Sequence, residues 1–432
     1  MRIYSKFPNR QPHAMKLTIR LTAAFLLTAT SAVLQAQAPA RDAKASILPI
    51  RAGEPNVSRV DAALLPKANP PAKVAFGQQP IQVKVLVLEF NPTIPAAVHS
   101  PRDPSARPRK LSEVAGWRDP LALAGSYMQD VSDASGGFIQ YRIVEWNVVN
   151  EFQKKTDGFT YTPESYVKCL RLWQSGSKSD PWHQPDGTDY AVSIERHKLV
   201  ARVESGEIDE VWWFGAPWMG WFESSMAGQG AFYINGGVFD RVPCKRPFII
   251  MGFSYEREVA CMLEDLCHRT EATMSRVYGG WKVDQLTTTW ARFAANAHQS
   301  NGVAAVGTCH YPPNGVRDYD FSNPRTVQSS ADDWLNFPVL TGATKPVSRD
   351  TWGGPDYHRN YIKWWFSHLP KAPTVNADGR QNNWWKYVFD YWAYDELGKQ
   401  RSGSLGPAVK PSLPKSPKRA GVSVETWGEN VG

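Results

Sequence analysis

The sequence is poor in cysteine: there are five in 432 residues, and none of them forms a CxxC pair. Cysteine pairs at that spacing hold structural zinc, so their absence argues against a zinc knot. An odd number of cysteines allows at most two disulfides and leaves one thiol unpaired. Cys261 and Cys267 fall on different faces of one predicted helix, and we do not expect them to pair with each other.

Long apolar runs and concentrated charge are also lacking. No stretch after residue 40 approaches the roughly 18 consecutive apolar residues that indicate a membrane-spanning helix. The net charge of +8 is spread out, with much of the excess near the termini. A basic balance this diffuse favours weak attraction to acidic polymers or surfaces and does not indicate a nucleic-acid groove.

Several common enzyme motifs are missing. There is no G-x-S-x-G nucleophile elbow and no phosphate-binding loop, which argues against a typical serine hydrolase or P-loop enzyme. The segment from Asp318 to Asn323 resembles the start of a calcium loop, but it lacks the glycine and glutamate that an EF-hand requires. We expect a turn capped by Asp and Asn side chains, or a loose oxygen site that includes Asp332 or Asp333.

Aromatic residues, in contrast, are abundant, with 18 Trp, 16 Tyr and 18 Phe. Tryptophan combines a flat apolar face with one N–H donor, so it suits partly wet clefts as well as cores. Isolated residues such as Trp146 and Trp290 are predicted in the core. Because adjacent residues on a strand face opposite ways, two clusters favour a cleft instead. They are Trp212, Trp213, Trp218 and Trp221, and Trp364, Trp365, Trp384 and Trp385.

The N-terminal residues 1–38 resemble an export signal, with Met15 as an alternative start. A short basic segment precedes an apolar stretch, and Ala36-Gln37-Ala38 offers a cleavage site with small residues. A secreted or periplasmic location is therefore expected. Residues 39–78 are rich in Pro, Ala and charge and predict a linker. Residues 398–432 are polar, Pro-rich and basic, and predict a disordered tail.

Residues 78–397 predict a single α/β domain. Apolar runs and helical patterns alternate, which indicates a mixed or mostly parallel sheet flanked by helices, followed by a long, loop-rich aromatic C-terminal part. The predicted strands cover 81–90, 139–148, 210–214, 246–253 and 302–308. The predicted helices cover 120–131, 163–172, 190–203, 255–278, 284–299 and 384–396, and residues 309–383 are predicted to be mostly loop.

The helix predicted over 255–278 carries the strongest candidate site. At about 100° per residue, Glu264, His268 and Glu271 share one face, which predicts the wall of a cleft. A second, charged face includes Asp265 and Arg269, which are predicted to pair on the outside. The remaining face is an apolar stripe made by Val259, Leu263, Leu266, Thr270, Met274 and Val277. The plainer alternative for the first face is a set of local salt bridges.

A divalent metal such as zinc fits these residue types. Glu264 and His268 can bind one ion from adjacent turns, with Glu271 as a further ligand or as the carboxylate that orients the imidazole. His310 and His368 are the best candidates for ligands from elsewhere, because both lie in irregular, aromatic-rich chain. The weaker candidates are His298 and His358. Glu223, in a glycine-rich loop, is a candidate general acid.

These features predict a secreted hydrolase that acts on an extracellular polymer, either carbohydrate or peptide, by metal-assisted activation of water. One alternative is a metal-free glycosidase that uses Glu223 with Glu264. Another is a non-catalytic carbohydrate- or surface-binding protein that uses its tryptophan faces. Each alternative makes a different demand on the structure, since the first two need a cleft at Glu264 and the third needs exposed tryptophan.

Overall fold

The computed structural model describes residues 56–177 and 180–401, so the export signal predicted over 1–38 and most of the predicted tail lie outside the described residues. The strands are β1 (Val57–Arg59), β2 (Ile81–Phe90), β3 (Thr93–Ile94), β4 (Arg109–Lys110), β5 (Ile139–Val149), β6 (Glu210–Gly215), β7 (Ser224–Ala227), β8 (Val238–Phe239), β9 (Phe248–Ser254), β10 (Val327–Ser329), β11 (Lys345–Val347), β12 (Lys371–Val375) and β13 (Gln381–Asn383). The α-helices are α1 (Ala96–His99), α2 (Leu111–Ala115), α3 (Pro120–Ala134), α4 (Pro163–Gln174), α5 (Tyr190–Arg196), α6 (Leu199–Glu204), α7 (Val259–Tyr278), α8 (Thr289–Phe293), α9 (Arg349–Trp352), α10 (Tyr357–Ser367) and α11 (Trp385–Phe389).

A mixed seven-stranded sheet flanked by helices organises the chain, in the order β1-β5-β2-β6-β9-β7-β8. The central strands β5, β2, β6 and β9 run parallel, whereas β1 and β7 join antiparallel and β8 pairs in parallel with β7. Strand β6 is buried at every residue, as expected for a parallel strand that is covered on both faces. The predicted α/β class with a mixed sheet is therefore confirmed.

Local signals in the sequence set many of the element boundaries. Helix α3 begins where the Asp119 side chain accepts a hydrogen bond from the Leu121 amide, with Pro120 at the first helical position. Helix α7 ends at Gly279, whose φ of 74° is the left-handed conformation that glycine adopts without a steric penalty. Capping of this kind depends on neighbouring residues only, so the sequence alone is enough to predict these boundaries.

Other elements differ from the sequence prediction. The helix predicted over 190–203 is broken into α5 and α6 at Lys198, whose φ is 53°. The helix predicted over 284–299 shrinks to α8, and residues 302–308 form no strand. Their backbone instead bonds to the end of α8 and the turn after it, where the Val306 amide donates to the Phe293 carbonyl. Helix α10 lies in the stretch that was predicted to be mostly loop.

The segment predicted as a linker contributes to the sheet. Residues 57–59 form β1, which pairs antiparallel with the end of β5 and places Val57 opposite Val149. Val57 is buried, since its side chain joins the core at this edge. Within residues 56–177 and 180–401, no helix combines the length and apolar character that crossing a membrane requires.

The tryptophan clusters are mostly core, so the prediction that they line a cleft is wrong for six of the eight residues. Trp218 and Trp364 are partly buried. The other six are at most 5% exposed, and they are Trp212, Trp213, Trp221, Trp365, Trp384 and Trp385. The C-terminal rings form a layer of their own, in which Trp384 contacts Trp290, Phe293 and Trp334 at centroid distances of 6.0, 5.3 and 5.8 Å. The C-terminal part therefore completes the core.

Helix α7 is enclosed on nearly all sides by β7, α3, α10 and α11. Its predicted apolar stripe is buried throughout. The predicted outward-facing pair of Asp265 and Arg269 is wrong, because these residues are only 7% and 1% exposed. Arg269 Nη1 donates to Glu210 Oε2 at 3.0 Å, and Nη2 donates to the Val388 carbonyl at 2.8 Å. The C-terminal segment covers this face of α7, which helical periodicity alone does not predict.

A candidate metal centre on helix α7

The face of α7 that carries Glu264 and His268 is closed by two segments that are distant in sequence. One is the loop that contains His310 and Tyr319, and the other is the first turn of α10, which contributes His358. Both oxygens of Glu264 meet these segments. Oε1 accepts a hydrogen bond from His310 Nε2 at 2.9 Å and is also contacted by the Tyr319 hydroxyl. Oε2 lies 3.2 Å from His358 Nε2.

The imidazoles of His268 and His310 face each other, and each contacts a carboxylate through Nδ1. His268 Nδ1 lies 3.0 Å from Glu271 Oε2, and His310 Nδ1 lies 3.1 Å from Asp318 Oδ1. A carboxylate at Nδ1 fixes the proton on that nitrogen and turns the lone pair of Nε2 toward the opposite side of the ring. Glu271 also accepts a hydrogen bond from the Cys309 amide at 2.7 Å, which ties the His310 loop to the helix.

The two Nε2 atoms of His268 and His310 point at each other across 3.0 Å. Two lone pairs at this distance repel, and either a proton on one Nε2 or a metal ion bound by both relieves the repulsion. A proton on one Nε2 makes the contact a hydrogen bond to the facing ring. A metal ion can replace that proton, since zinc binds imidazole nitrogen and carboxylate oxygen at about 2.0–2.2 Å.

Hydrogen bonds and nearby charge shift the pKa of Glu264, His310 and His268 in the direction that favours the ionised form. Burial opposes ionisation of Glu264, but hydrogen bonds from His268 and His310 hold its pKa well below the usual range. Burial also lowers the pKa of His310, but Asp318 and Glu264 outweigh that effect and raise it to about 9. The pKa of His268 is raised well above its usual value against the effect of burial, by Cys309, Glu264 and Glu271. The pocket therefore stabilises positive charge.

Tyr319 is held in a strained backbone conformation at this point. Its φ of 58° is in the left-handed region, which is rare for an aromatic residue and is often found at functional sites. The conformation directs the hydroxyl into the cluster, where it lies 2.9 Å from His310 Nε2 as well as in contact with Glu264. Tyr319 thus adds a neutral hydrogen-bond donor to a group of charged side chains.

Glu223 borders the cluster from the loop between β6 and β7. It is partly buried and accepts a hydrogen bond from Asn235 Nδ2. Burial raises the pKa of Glu223, although the nearby His268 and His310 oppose the shift. Burial also raises the pKa of Asp265 well above its usual value, with Glu223 and Glu264 adding to the effect. Two carboxyl groups with a raised pKa therefore lie near one, Glu264, whose pKa is lowered.

The structure does not bring His368 to this cluster. His368 lies at the opposite end of α10 from His358, where its Nδ1 is 2.7 Å from the Trp364 carbonyl and its Nε2 is 3.2 Å from Asp332 Oδ1. The position predicted for it is occupied by His358. The two residues are ten positions apart, which separates them by roughly 15 Å along a helix. His298 is exposed on the loop after α8 and stacks on Tyr311.

Sequence reasoning missed three members of the cluster. It ranked His358 below His368, and it did not place Tyr319 or Asp318 at the site. A signal for His358 was present, because Asp356 caps a helix on which His358, Ile362 and Trp365 recur at helical spacing. His358 Nε2 is largely buried and lies 3.2 Å from Glu264 Oε2, so its charge contact is with the carboxylate of the cluster. The positive φ of Tyr319 and the pairing of Asp318 with His310 have no counterpart in the sequence pattern.

Spacing among the donor atoms fits a shared ion. In a tetrahedral zinc site, neighbouring ligand atoms are about 3.3 Å apart. Here His268 Nε2 lies 3.0 Å from His310 Nε2, His310 Nε2 lies 2.9 Å from Glu264 Oε1, and His268 Nε2 lies 3.8 Å from Glu264 Oε1.

Comparisons of the chain with protein-family models, with curated proteins and with solved structures give no match. The inference of a function therefore depends on the geometry of this site.

Proposed function

We propose that the protein is a metal-dependent hydrolase whose divalent ion, such as zinc, is bound by Glu264, His268 and His310. The observation that carries this proposal is the 3.0 Å approach of two Nε2 atoms, each belonging to an imidazole that is paired with a carboxylate at Nδ1. Two histidines and one glutamate form a ligand set that catalytic zinc commonly uses, with a further position left for water or substrate.

The surrounding groups suit hydrolysis. A bound divalent ion would supply Lewis acidity and lower the pKa of a water molecule. Glu223 is the candidate for moving a proton, because burial raises its pKa and so makes its carboxyl a better proton acceptor. The Tyr319 hydroxyl can donate a hydrogen bond to developing negative charge on a substrate oxygen. His358, beside the second oxygen of Glu264, would keep that carboxylate in place.

An extracellular polymer, carbohydrate or peptide, remains the proposed substrate, and a secreted or periplasmic location the proposed setting. Both follow from the resemblance of residues 1–38 to an export signal. The net charge of +8 supports weak attraction to an acidic polymer without indicating nucleic acid as the partner.

A metal-free glycosidase is the second candidate, and one observation favours it. Glu223 has a raised pKa and Glu264 a lowered pKa, which is the pattern of a carboxyl acid beside an ionised carboxylate. It ranks second because His268, His310 and His358 all lie within 3.8 Å of Glu264, whereas a nucleophile needs a free oxygen that faces the sugar. The binding-protein alternative loses most of its tryptophan surface, since six of the eight clustered side chains are buried.

Metal binding by the purified full chain tests the proposal. The ion-free protein is titrated with zinc or cobalt, and bound ion is counted after dialysis. We expect one ion per chain. Because outer-shell partners of a metal typically contribute 10–100-fold to affinity, removing a ligand by His310→Ala or His268→Ala should weaken binding by more than about 100-fold. The matched control is His298→Ala, which removes an exposed imidazole and should leave the metal affinity and the number of bound ions unchanged.

Hydrolysis is then assayed on polysaccharide and peptide polymers before and after treatment with a chelator. Activity that disappears with the chelator and returns with the ion supports the proposal and assigns the polymer class. Activity that the chelator leaves unchanged, and that Glu223→Gln abolishes, would support the glycosidase. If no ion binds, or if the His310→Ala protein binds it as tightly as wild type while remaining folded by circular dichroism, the metal proposal is wrong.

A further inference from the structure

Two buried thiols adjoin the histidine cluster, and the Cys309 sulfur lies within 4.8 Å of a ring nitrogen of both His268 and His310. Cys267 and Cys309 are 0% and 1% exposed, and Cys309 contacts α7 through both its amide and its thiol at the level of Cys267. Each immediately precedes a histidine of the cluster, His268 on α7 and His310 on the loop. We propose that Cys267 and Cys309 form a disulfide bond when the protein folds in oxidising surroundings.

Contacts on both sides of Cys267 hold Cys309 in register with it. The Cys309 amide donates to the Glu271 side chain at 2.7 Å, one turn after Cys267. Cys309 Sγ lies 3.8 Å from the Glu264 carbonyl, about one turn before Cys267. The loop therefore crosses α7 at the level of Cys267. Two of the other three cysteines, Cys244 and Cys169, bond to carbonyl oxygens of their own surroundings, and the third, Cys261, lies nearly two turns from Cys267 on the same helix.

The bond forms by thiol–disulfide exchange with a small-molecule or protein disulfide. The thiolate of one cysteine attacks the donor disulfide and displaces one of its sulfurs, which gives a mixed disulfide. The thiolate of the second cysteine then attacks the protein sulfur of that mixed disulfide and releases the other donor sulfur. Two electrons pass to the donor, and the two protons lost by Cys267 and Cys309 are taken up by its two thiols.

The position of the bond gives it a role at the candidate metal centre, and this part of the inference rests on the proposed function. A covalent link between residues 267 and 309 would fix the distance between the neighbouring residues His268 and His310. A site held in its binding geometry loses less entropy when the ion arrives, so the oxidised protein should bind metal more tightly than the reduced protein. The loop cannot then leave the helix unless the disulfide is reduced.

Peptide mapping of the full chain tests the bond directly. Unfolded, reduced protein is refolded with a mixture of reduced and oxidised glutathione, free thiols are blocked, and the protein is digested without reduction. We expect a cross-linked peptide that contains Cys267 and Cys309, and a fall in free thiols from five to three. The variant Cys309→Ser should lose the cross-link. In the control Cys169→Ser, which changes a partly buried thiol on α4, the cross-link should persist.

Recovery of Cys267 and Cys309 as separately blocked thiols in the folded, oxidised wild-type protein would overturn the inference, as would a cross-link of either to another cysteine. Zinc affinity of the oxidised and reduced wild-type protein is then compared, and we expect at least a severalfold gain on oxidation. A loss of zinc binding on oxidation would show that the Cys309 thiolate is itself a ligand, and would contradict the proposed role. If the cross-link is present but neither form binds zinc, the bond is established and the proposed function fails.

Discussion

At the scale of single residues, burial and nearby charge decide protonation, and they act differently on different histidines. In the cluster, carboxylates raise the pKa of His310 to about 9. His197 shows the opposite case. Burial, with Arg196 and Arg202 adding to it, lowers its pKa to about 4. Its ring packs near the Phe90 ring, with centroids 6.4 Å apart, and stays neutral in the folded protein.

His197 should therefore make the protein sensitive to acid. The folded-state pKa of about 4 lies below the unfolded value of about 6.5, so the unfolded chain takes up a proton first as pH falls. Stability that is present above about pH 6.5 is lost progressively toward pH 4, by about 2 kcal/mol between pH 7 and pH 5. We expect His197→Gln to remove this part of the pH dependence, measured by urea unfolding at both values.

Other groups also contribute to acid unfolding, so the comparison between variants isolates His197. The control is His298→Gln, which changes an exposed histidine and should retain the pH dependence of the wild-type protein. If His197→Gln loses as much stability as wild type between the two pH values, burial does not keep His197 neutral and the prediction is wrong.

At the scale of the element, two faces of α7 meet different parts of the protein. One face presents Glu264 and His268 to the cluster, while Arg269, the next residue, is buried in an ion pair with Glu210. The Arg269 guanidinium also lies over the Phe389 ring, 4.8 Å from its centroid. This arrangement links the helix both to β6 and to the C-terminal segment, so it fixes the rotation of α7 about its axis and hence the direction of the site face.

Removing one charge of this pair should be costly. Arg269→Met leaves the Glu210 carboxylate buried without its partner, which typically destabilises a protein by about 3–5 kcal/mol. The double variant Arg269→Met/Glu210→Gln removes both charges and should recover a large part of the loss. Denaturant unfolding measures both, and Arg292→Met, on the exposed side of α8, should cost less than about 1 kcal/mol. A single variant as stable as the control would contradict a tightly coupled buried pair.

At the scale of the whole molecule, the C-terminal residues 281–401 act as a second layer of core over α7. Trp384 is fully buried among Trp290, Phe293, Trp334 and Phe337. This layer accounts for many of the tryptophans, which the sequence alone could have assigned to a core or to a binding cleft. It also explains why α10 reaches the cluster, since α10 packs on both α7 and α3.

Trp384→Ala should test this layer. Truncating a fully buried tryptophan leaves a cavity and typically costs about 3–5 kcal/mol of unfolding free energy. Trp281→Ala changes a side chain that is 38% exposed and should cost far less. Thermal or denaturant unfolding of the two variants measures the difference. Similar, small losses for both would mean that the C-terminal layer contributes little to stability.

Local elements were largely predictable from the sequence, because caps, breakers and periodicity act over a few residues. The parallel strands β2, β5, β6 and β9 and the helix α7 lie close to their predicted positions. The grouping of Glu264, His268 and Glu271 on one face also followed from helical spacing. His310 was predicted, together with His368, as one of the two best ligands from elsewhere in the chain, and spacing could not rank it above His368.

The tertiary structure decided which residues meet. His310 and His358 reach Glu264 across 46 and 94 residues of chain, through a loop fixed by the Glu271–Cys309 hydrogen bond and through the packing of α10 on α7. It also turned Arg269 and most of the clustered tryptophans inward. Periodicity reports which face a residue occupies, but whether that face meets solvent, an ion or another segment depends on contacts between residues far apart in sequence. The sequence thus determined most of the central elements and the face of α7 that carries Glu264, His268 and Glu271, whereas packing between distant segments determined which other residues join them.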